Sequence, residues 1–80
     1  MTLSYRVLFS RDPATKSVVA EIPALGIADH GADLPETLDR LRDRVSFHLE
    51  CLHQEGKPIP RDQGEEEGLY LRVRLPAHAA

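Results

Sequence analysis

One histidine has neighbours that could orient it for catalysis. In the segment Asp29-His30-Gly31, an imidazole stands between a carboxylate and a glycine. A carboxylate can orient a histidine ring as a general base, and histidine titrates near neutral pH. No nucleophilic side chain is adjacent in the sequence, and a histidine bonded to its neighbour's carboxylate is often structural. We therefore keep Asp29 and His30 as a candidate loop site and assign no catalytic residue.

Metal binding has weaker support from the spacing of ligand-type residues. His48 and Cys51 are three positions apart on a predicted helix and could share an ion, whereas His48 and His53 are five apart, about 140° around the helix. Two ligands do not make a zinc site. The carboxylates near predicted strand ends form no recognisable metal motif: Asp12, Glu21, Asp29 and Asp33. We expect no metal, no cofactor and no enzymatic activity.

The charge balance suggests which partners suit the chain. Its 13 acidic and 10 basic residues give a formal net charge of −3, which argues against a general nucleic-acid binder because such proteins display a basic surface. The densest acidic run is Glu65, Glu66 and Glu67. Such a run is usually a solvated loop, but it could also contact a basic protein surface.

The sequence also indicates a compartment. The lone Cys51 cannot form an internal disulfide, and the opening residues MTLSYRVLFSRD contain neither a signal peptide nor a spanning segment. We expect a soluble cytoplasmic protein without membrane contact.

Alternating apolar residues predict the first and last strands. The stretch LSYRVLFS has its apolar face at Leu3, Tyr5, Val7 and Phe9, and LYLRVRL has its apolar face at Leu69, Leu71, Val73 and Leu75. Between them, Asp12-Pro13 predicts a turn into a β-branched second strand, SVVAEI, paired antiparallel with the first. The segment IADHG is short, and we favour an edge strand that ends at Gly31 over a loop.

A helix is predicted to begin after Asp33. This residue can cap the helix, Glu36 can complete a capping box and Pro35 is tolerated in the first turn. Gly56 and then Pro58 should end the helix. The apolar stripe recurs at spacings of three and four: Leu34, Leu38, Leu41, Val45, Leu49 and Leu52.

Two helix residues lie away from this stripe. At about 100° per residue, Phe47 and Cys51 point roughly 160° and 120° away from Val45. We interpret both as candidate contacts with a partner or a second subunit. The alternative for Phe47 is that a neighbouring segment of the same chain covers it, since single exposed apolar residues are common.

Residues 1–80 are predicted to form a single α+β domain of element order β-β-β-α-β, a small antiparallel sheet of three or four strands with one helix packed across it. A chain of this length supports only one modest core. Self-association would add burial that the monomer lacks, so we expect a homo-oligomer.

The sequence resembles the HicB-like antitoxin family. The similarity rests on Tyr5, Val7 and Phe9 in the first strand, on the strand end Glu21–Leu25, and on Gly31, Glu36 and Leu38 at the helix entry. Glu55–Pro60 is similar to the family's helix exit. The departures are Ala32-Asp33 in place of an Asp-Thr pair and Thr37-Leu38 in place of Glu-Ala.

The resemblance implies a fold and a function. Family members share an N-terminal domain with a partial ribonuclease-H-like fold, and they bind and inhibit HicA toxins, which are small RNA-cleaving proteins. Many also carry a C-terminal DNA-binding domain, which this sequence lacks, so we expect no direct nucleic-acid binding. The function implied is that of a non-catalytic antitoxin. The alternative is a stand-alone homo-oligomeric domain with no toxin partner, and a hydrolase acting through its loop carboxylates is a more distant third.

Overall fold

The computed structural model describes residues 2–62 and 67–74. In chain order the elements are strand β1 (Thr2–Arg11), strand β2 (Val18–Ile22), strand β3 (Ile27–Gly31), helix α1 (Leu34–Gln54) and strand β4 (Leu69–Arg74). This is the predicted order. Leu75, predicted to continue the last strand, lies outside the described residues.

All neighbouring strands pair antiparallel in one sheet of order β3-β2-β1-β4. The helix α1 packs across one face of this sheet, so the α+β prediction is confirmed. We call the face under α1 the inner face and the opposite one the outer face. Within the described residues, no helix is long and apolar enough to cross a membrane.

The core lies between α1 and the inner face. Because side chains alternate along a strand, every second residue of β1 and β4 points at the helix. The ten residues of the main buried cluster are Leu3, Tyr5, Val7, Ala20, Ile22, Leu41, Val45, Leu49, Leu71 and Val73. The helix stripe is confirmed at its centre, while Leu34, Leu38 and Leu52 are half-buried.

Phe9 corrects one expectation about the core. It belongs to the inner-face row of Ala20 and Asp29 by register, yet it is 54% exposed. The reason is that α1 packs against β3, β2 and β4 and leaves the last part of β1 uncovered. The alternation of apolar residues predicts the face of Phe9 correctly, but it does not predict whether α1 covers the residue.

Helix α1 begins and ends as its sequence predicts. Asp33 is the N-cap, and its Oδ1 accepts a hydrogen bond of 2.9 Å from the Glu36 amide. The capping box predicted with Glu36 is only half formed, because the Glu36 carboxylate pairs with Arg40 at 3.0 Å rather than with the Asp33 amide. At the other end, Gly56 has a left-handed φ of 70°, and its amide donates a hydrogen bond to the His53 carbonyl, as in a Schellman motif.

The start of α1 makes a close contact with the sheet. Thr37 is fully buried, and its hydroxyl lies 3.1 Å from the Val18 carbonyl and 2.7 Å from the Asp33 carbonyl. A Cβ placed on Gly31 would lie 2.9 Å from the Thr37 Oγ1 and 3.0 Å from its amide nitrogen. Glycine is therefore required at Gly31 for close approach.

Strand β1 is divided between two partners. Thr2–Val7 pairs with β4, and Leu8–Arg11 pairs with β2. The segment after α1 lies beside the first half of β1, where β2 has ended, and makes two hydrogen bonds with it. The Tyr5 hydroxyl donates to the Pro60 carbonyl at 2.6 Å, and the Arg6 amide donates to the Asp62 carboxylate at 2.8 Å. Burial raises the pKa of the Tyr5 phenol.

Candidate protein-binding surface

Phe47 is the most exposed large apolar side chain of the described residues. It lies in the middle of α1 and is 69% exposed, while the apolar stripe on the other side of the helix is buried against the sheet. The prediction that Phe47 points away from the sheet is confirmed. The alternative, that another segment of the chain covers it, is wrong for the described residues.

Phe47 stands at the rim of a cavity between α1 and β3. The cavity has a volume of about 290 Å³, and its walls are formed by Gly26, Ile27, Ala28, Arg44, Phe47, His48 and Cys51. Cys51 is half-buried rather than exposed, so it contributes to the floor of this surface. We call Phe47 and these cavity residues the Phe47 surface.

The backbone of β3 contributes polar groups to the Phe47 surface. The His30 amide donates to the Asp29 Oδ1 at 2.8 Å, and the His30 carbonyl accepts from the Arg40 guanidinium at 3.4 Å. Both His30 groups therefore point away from β2. Because backbone direction alternates along a strand, the amide and carbonyl of Ala28 point to the same open side. Side chains cover the edge of β3 at His30, and its open position is Ala28.

Asp29 connects β3 to the helix. Its Oδ2 lies 3.3 Å from the Arg44 Nε, and its side chain is only 14% exposed. The hydrogen bond from the His30 amide, with the bond and charge of Arg44, lowers the pKa of this carboxyl although burial opposes the shift. Asp29 is thus held as a carboxylate in a structural ion pair at the border of the Phe47 surface.

His30 does not form a compact dyad with Asp29. Its ring is 67% exposed, and its Nδ1 lies 3.8 Å from the Asp29 Oδ1, beyond ordinary hydrogen-bond distance. Both residues belong to strand β3 and not to a loop, so the label of loop site is corrected. The arrangement orients the backbone of His30 rather than its imidazole.

Only part of the acidic run can be placed. Glu65 and Glu66 lie outside the described residues, and Glu67 is exposed just before β4. Within residues 2–62 and 67–74, no three histidine, cysteine, aspartate or glutamate side chains are grouped closely enough to hold a metal ion.

Sequence reasoning missed Arg44 as part of this surface. Arg44 lies three residues before Phe47, which places both on neighbouring positions of the helix. Its partner Asp29 is 15 residues away in sequence, and only the packing of α1 against β3 brings the two together. The helical spacing of Arg40, Arg44 and Cys51 was the one signal available.

Comparisons with protein-family models, with curated proteins and with solved structures found no match to this chain.

Proposed function

We propose that this chain is a non-catalytic protein-binding module that binds and inhibits a small, basic, HicA-like RNA-cleaving toxin. The observation that carries the proposal is the Phe47 surface. An aromatic side chain that is 69% exposed, beside a cavity whose walls include the half-buried Ile27 and Cys51, has the character of an interface anchor. The HicB-like sequence features supply the identity of the partner.

The geometry fits a protein partner better than a small molecule. Phe47 projects from the helix at the rim of the cavity, so a ligand inside the cavity would leave much of the ring uncovered. A partner surface can cover the ring, contact Ile27 and Cys51, and bond the open backbone of Ala28. Interfaces of this kind concentrate their binding energy in a few central residues.

The first test is binding and inhibition. The gene's neighbourhood is first searched for a small basic open reading frame, and its product is co-expressed with the chain, purified and assayed for RNA cleavage with and without the chain. We expect a complex and suppressed cleavage. Phe47→Asp should weaken binding at least about tenfold, as expected for a central anchor. Arg42→Asp, on a distant exposed side of α1, is the matched control. Cleavage unaffected by the chain would reject the toxin proposal.

The acidic run provides a kinetic test of the same proposal. If carboxylates steer the approach of a basic partner, exchanging Glu65, Glu66 and Glu67 for lysine should slow association more than it speeds dissociation. Raising the salt concentration should have the same effect on the original chain, because salt screens exposed charges. An unchanged association rate would exclude this run from recognition.

A second candidate uses the same surface for a different partner. In a stand-alone homo-oligomer, Phe47 would pack against another copy of the chain. Sedimentation equilibrium at micromolar concentration separates the two cases. Assembly that Phe47→Asp shifts to monomer, together with no toxin binding, would favour the homo-oligomer. A monomer that binds toxin through Phe47 would favour the first proposal.

A further inference from the structure

The outer face of β1 and β4 carries a basic surface that the overall charge conceals. Three cross-strand pairs place six side chains together opposite the core: Thr2 with Arg74, Ser4 with Arg72, and Arg6 with Tyr70. We call these six residues the arginine face. Its formal charge is +3, and since the whole chain has −3, the residues outside the face sum to −6.

The arginines of β4 differ from those of α1 in their partners. On the helix, Arg40 pairs with Glu36 at 3.0 Å and Arg44 pairs with Asp29 at 3.3 Å. No carboxylate in the part of the chain that the structure describes forms an ion pair with Arg72 or Arg74. Both are exposed, so their guanidinium groups remain available to an anion.

The arginine face continues into a cavity. A space of about 510 Å³ lies beside the first half of β1, and its walls include Thr2, Ser4, Arg61, Asp62, Tyr70 and Arg72. Asp62, in the same wall, accepts a hydrogen bond from the Arg6 amide and keeps its negative charge. Arg61 adds a guanidinium to the border of the face, and the Asp62 carboxylate offsets that charge.

We propose that the arginine face binds single-stranded nucleic acid. Arginines, with the hydroxyls of Thr2 and Ser4, are donors that contact phosphates. Tyr70 lies opposite Arg6 and two residues before Arg72, on the same face. An aromatic ring on a basic sheet surface can stack against a base. An acidic peptide would use the guanidinium groups but would have no use for this ring.

The net negative charge does not prevent this binding. The molecule is 17 Å across its thinnest dimension, and the acidic residues of α1 lie on the opposite side of the sheet. At physiological ionic strength exposed charges are screened beyond about 8 Å. Glu67, exposed before β4, is five residues from Arg72, about 16 Å along an extended strand, so a nucleic-acid strand over Arg72 and Arg74 responds mainly to these two arginines. This proposal is independent of toxin binding, because the Phe47 surface lies on the helix side.

The test is fluorescence anisotropy of a labelled twelve-nucleotide uridine RNA with the full 80-residue chain at about 50 mM salt. We expect a dissociation constant between about 10⁻⁶ and 10⁻⁴ M, the range of non-specific binding. With two phosphates neutralised by Arg72 and Arg74, the logarithm of the binding constant should fall with the logarithm of salt with a slope of about −1.4.

Two double variants of equal charge change locate the site. Arg72→Glu with Arg74→Glu should weaken RNA binding at least about tenfold and flatten the salt dependence. Arg40→Glu with Arg42→Glu, on α1, should change binding by less than about threefold, because those charges lie across the sheet. Circular dichroism verifies that both variants fold.

Stacking is tested separately. Tyr70→Leu should weaken RNA binding by about fivefold or more, because each stacked base contributes substantially to single-strand affinity. A labelled twelve-residue polyglutamate peptide is the competing ligand. No RNA binding at 100 μM chain, equal losses in the two double variants, or tighter binding of the peptide than of the RNA would each overturn the proposal.

Discussion

On the inner face of the sheet, helix α1 covers apolar side chains, and the polar Thr37 has its hydroxyl close to two carbonyls. On the outer face of β1 and β4, Arg72 and Arg74 form no ion pair with a carboxylate of the described residues. The same strands supply both faces, because their side chains alternate. The difference indicates that the inner face stabilises the fold, whereas the outer-face arginines contribute little to stability and can bind a ligand.

The largest effect on stability should come from the centre of the inner face. Leu41 of α1 is fully buried against the inner face, so Leu41→Ala removes apolar contacts and leaves a cavity. The free energy of unfolding should fall by about 2 to 5 kcal/mol. Urea unfolding measures this loss. A loss of stability smaller than that caused by an outer-face substitution would contradict the expectation that the inner face stabilises the fold.

The contact between β3 and the helix start should be the next most sensitive. Gly31→Ala places a methyl group 2.9 Å from the Thr37 Oγ1 and 3.0 Å from its backbone nitrogen. The backbone cannot move aside as a flexible side chain can, so the free energy of unfolding should fall by about 1 to 3 kcal/mol. Gly26→Ala is unsuitable as a control because Gly26 has a φ of 66°. Ala28→Gly, on the exposed part of β3, serves instead, and an equal loss there would argue against the steric cause.

The helix cap should have a smaller effect. Asp33→Ala removes the acceptor of the Glu36 amide and a negative charge at the helix start, and should cost about 1 kcal/mol. Thermal unfolding compared with Asp33→Asn, which can still cap, separates the hydrogen bond from the charge. No difference between Asp33→Ala and the original chain would mean that tertiary packing alone fixes this end.

The ion pair of Asp29 should appear as a weak pH dependence. Because folding lowers the pKa of this carboxyl below 3.8, its contribution is present above that pH and is lost as the pH falls through the lowered folded value. An ion pair in which one partner is solvent-exposed, as Arg44 is here, contributes about 0.2 to 1 kcal/mol. Asp29→Asn should remove this part of the pH dependence below about pH 4, measured by denaturant unfolding. An unchanged profile would mean that other carboxyls account for it.

The smallest effect on stability is expected on the outer face. Arg72→Ala changes an exposed residue without an ion-pair partner in the described chain and should alter the unfolding free energy by no more than about 0.5 kcal/mol. The same variant should weaken RNA binding. A destabilisation as large as that of Asp33→Ala would show that Arg72 supports the fold, and would break the separation between the two faces.

The sequence predicts features whose causes are local. The Asp33 cap, the helix end at Gly56 and the stripe through Leu41 depend on residues within a few positions of one another, and all three are observed. The exposure of Phe9 and the burial of Thr37 depend on where α1 crosses the sheet. Helical periodicity and strand alternation do not contain that information.

The same limit applies to the candidate surfaces. The outward direction of Phe47 follows from the helix period, and the structure confirms it. The pairing of Arg44 with Asp29 and the row of Arg72 beside Ser4 depend on packing and strand register between distant segments. A net charge of −3 averages over these positions and so gives no indication of a local basic face.

The division of β1 between two partners also implies an order of folding. Strand β2 follows β1 through a short turn, and β3 and α1 follow in sequence, so these contacts close short loops. Strand β4 pairs Leu69 with Val7 and Arg74 with Thr2, which requires closing a loop of nearly the whole chain at a higher entropic cost. We expect β4 to dock last. The rows of arginines then exist only in the completed sheet, so a nascent chain would acquire this surface in the final step of folding.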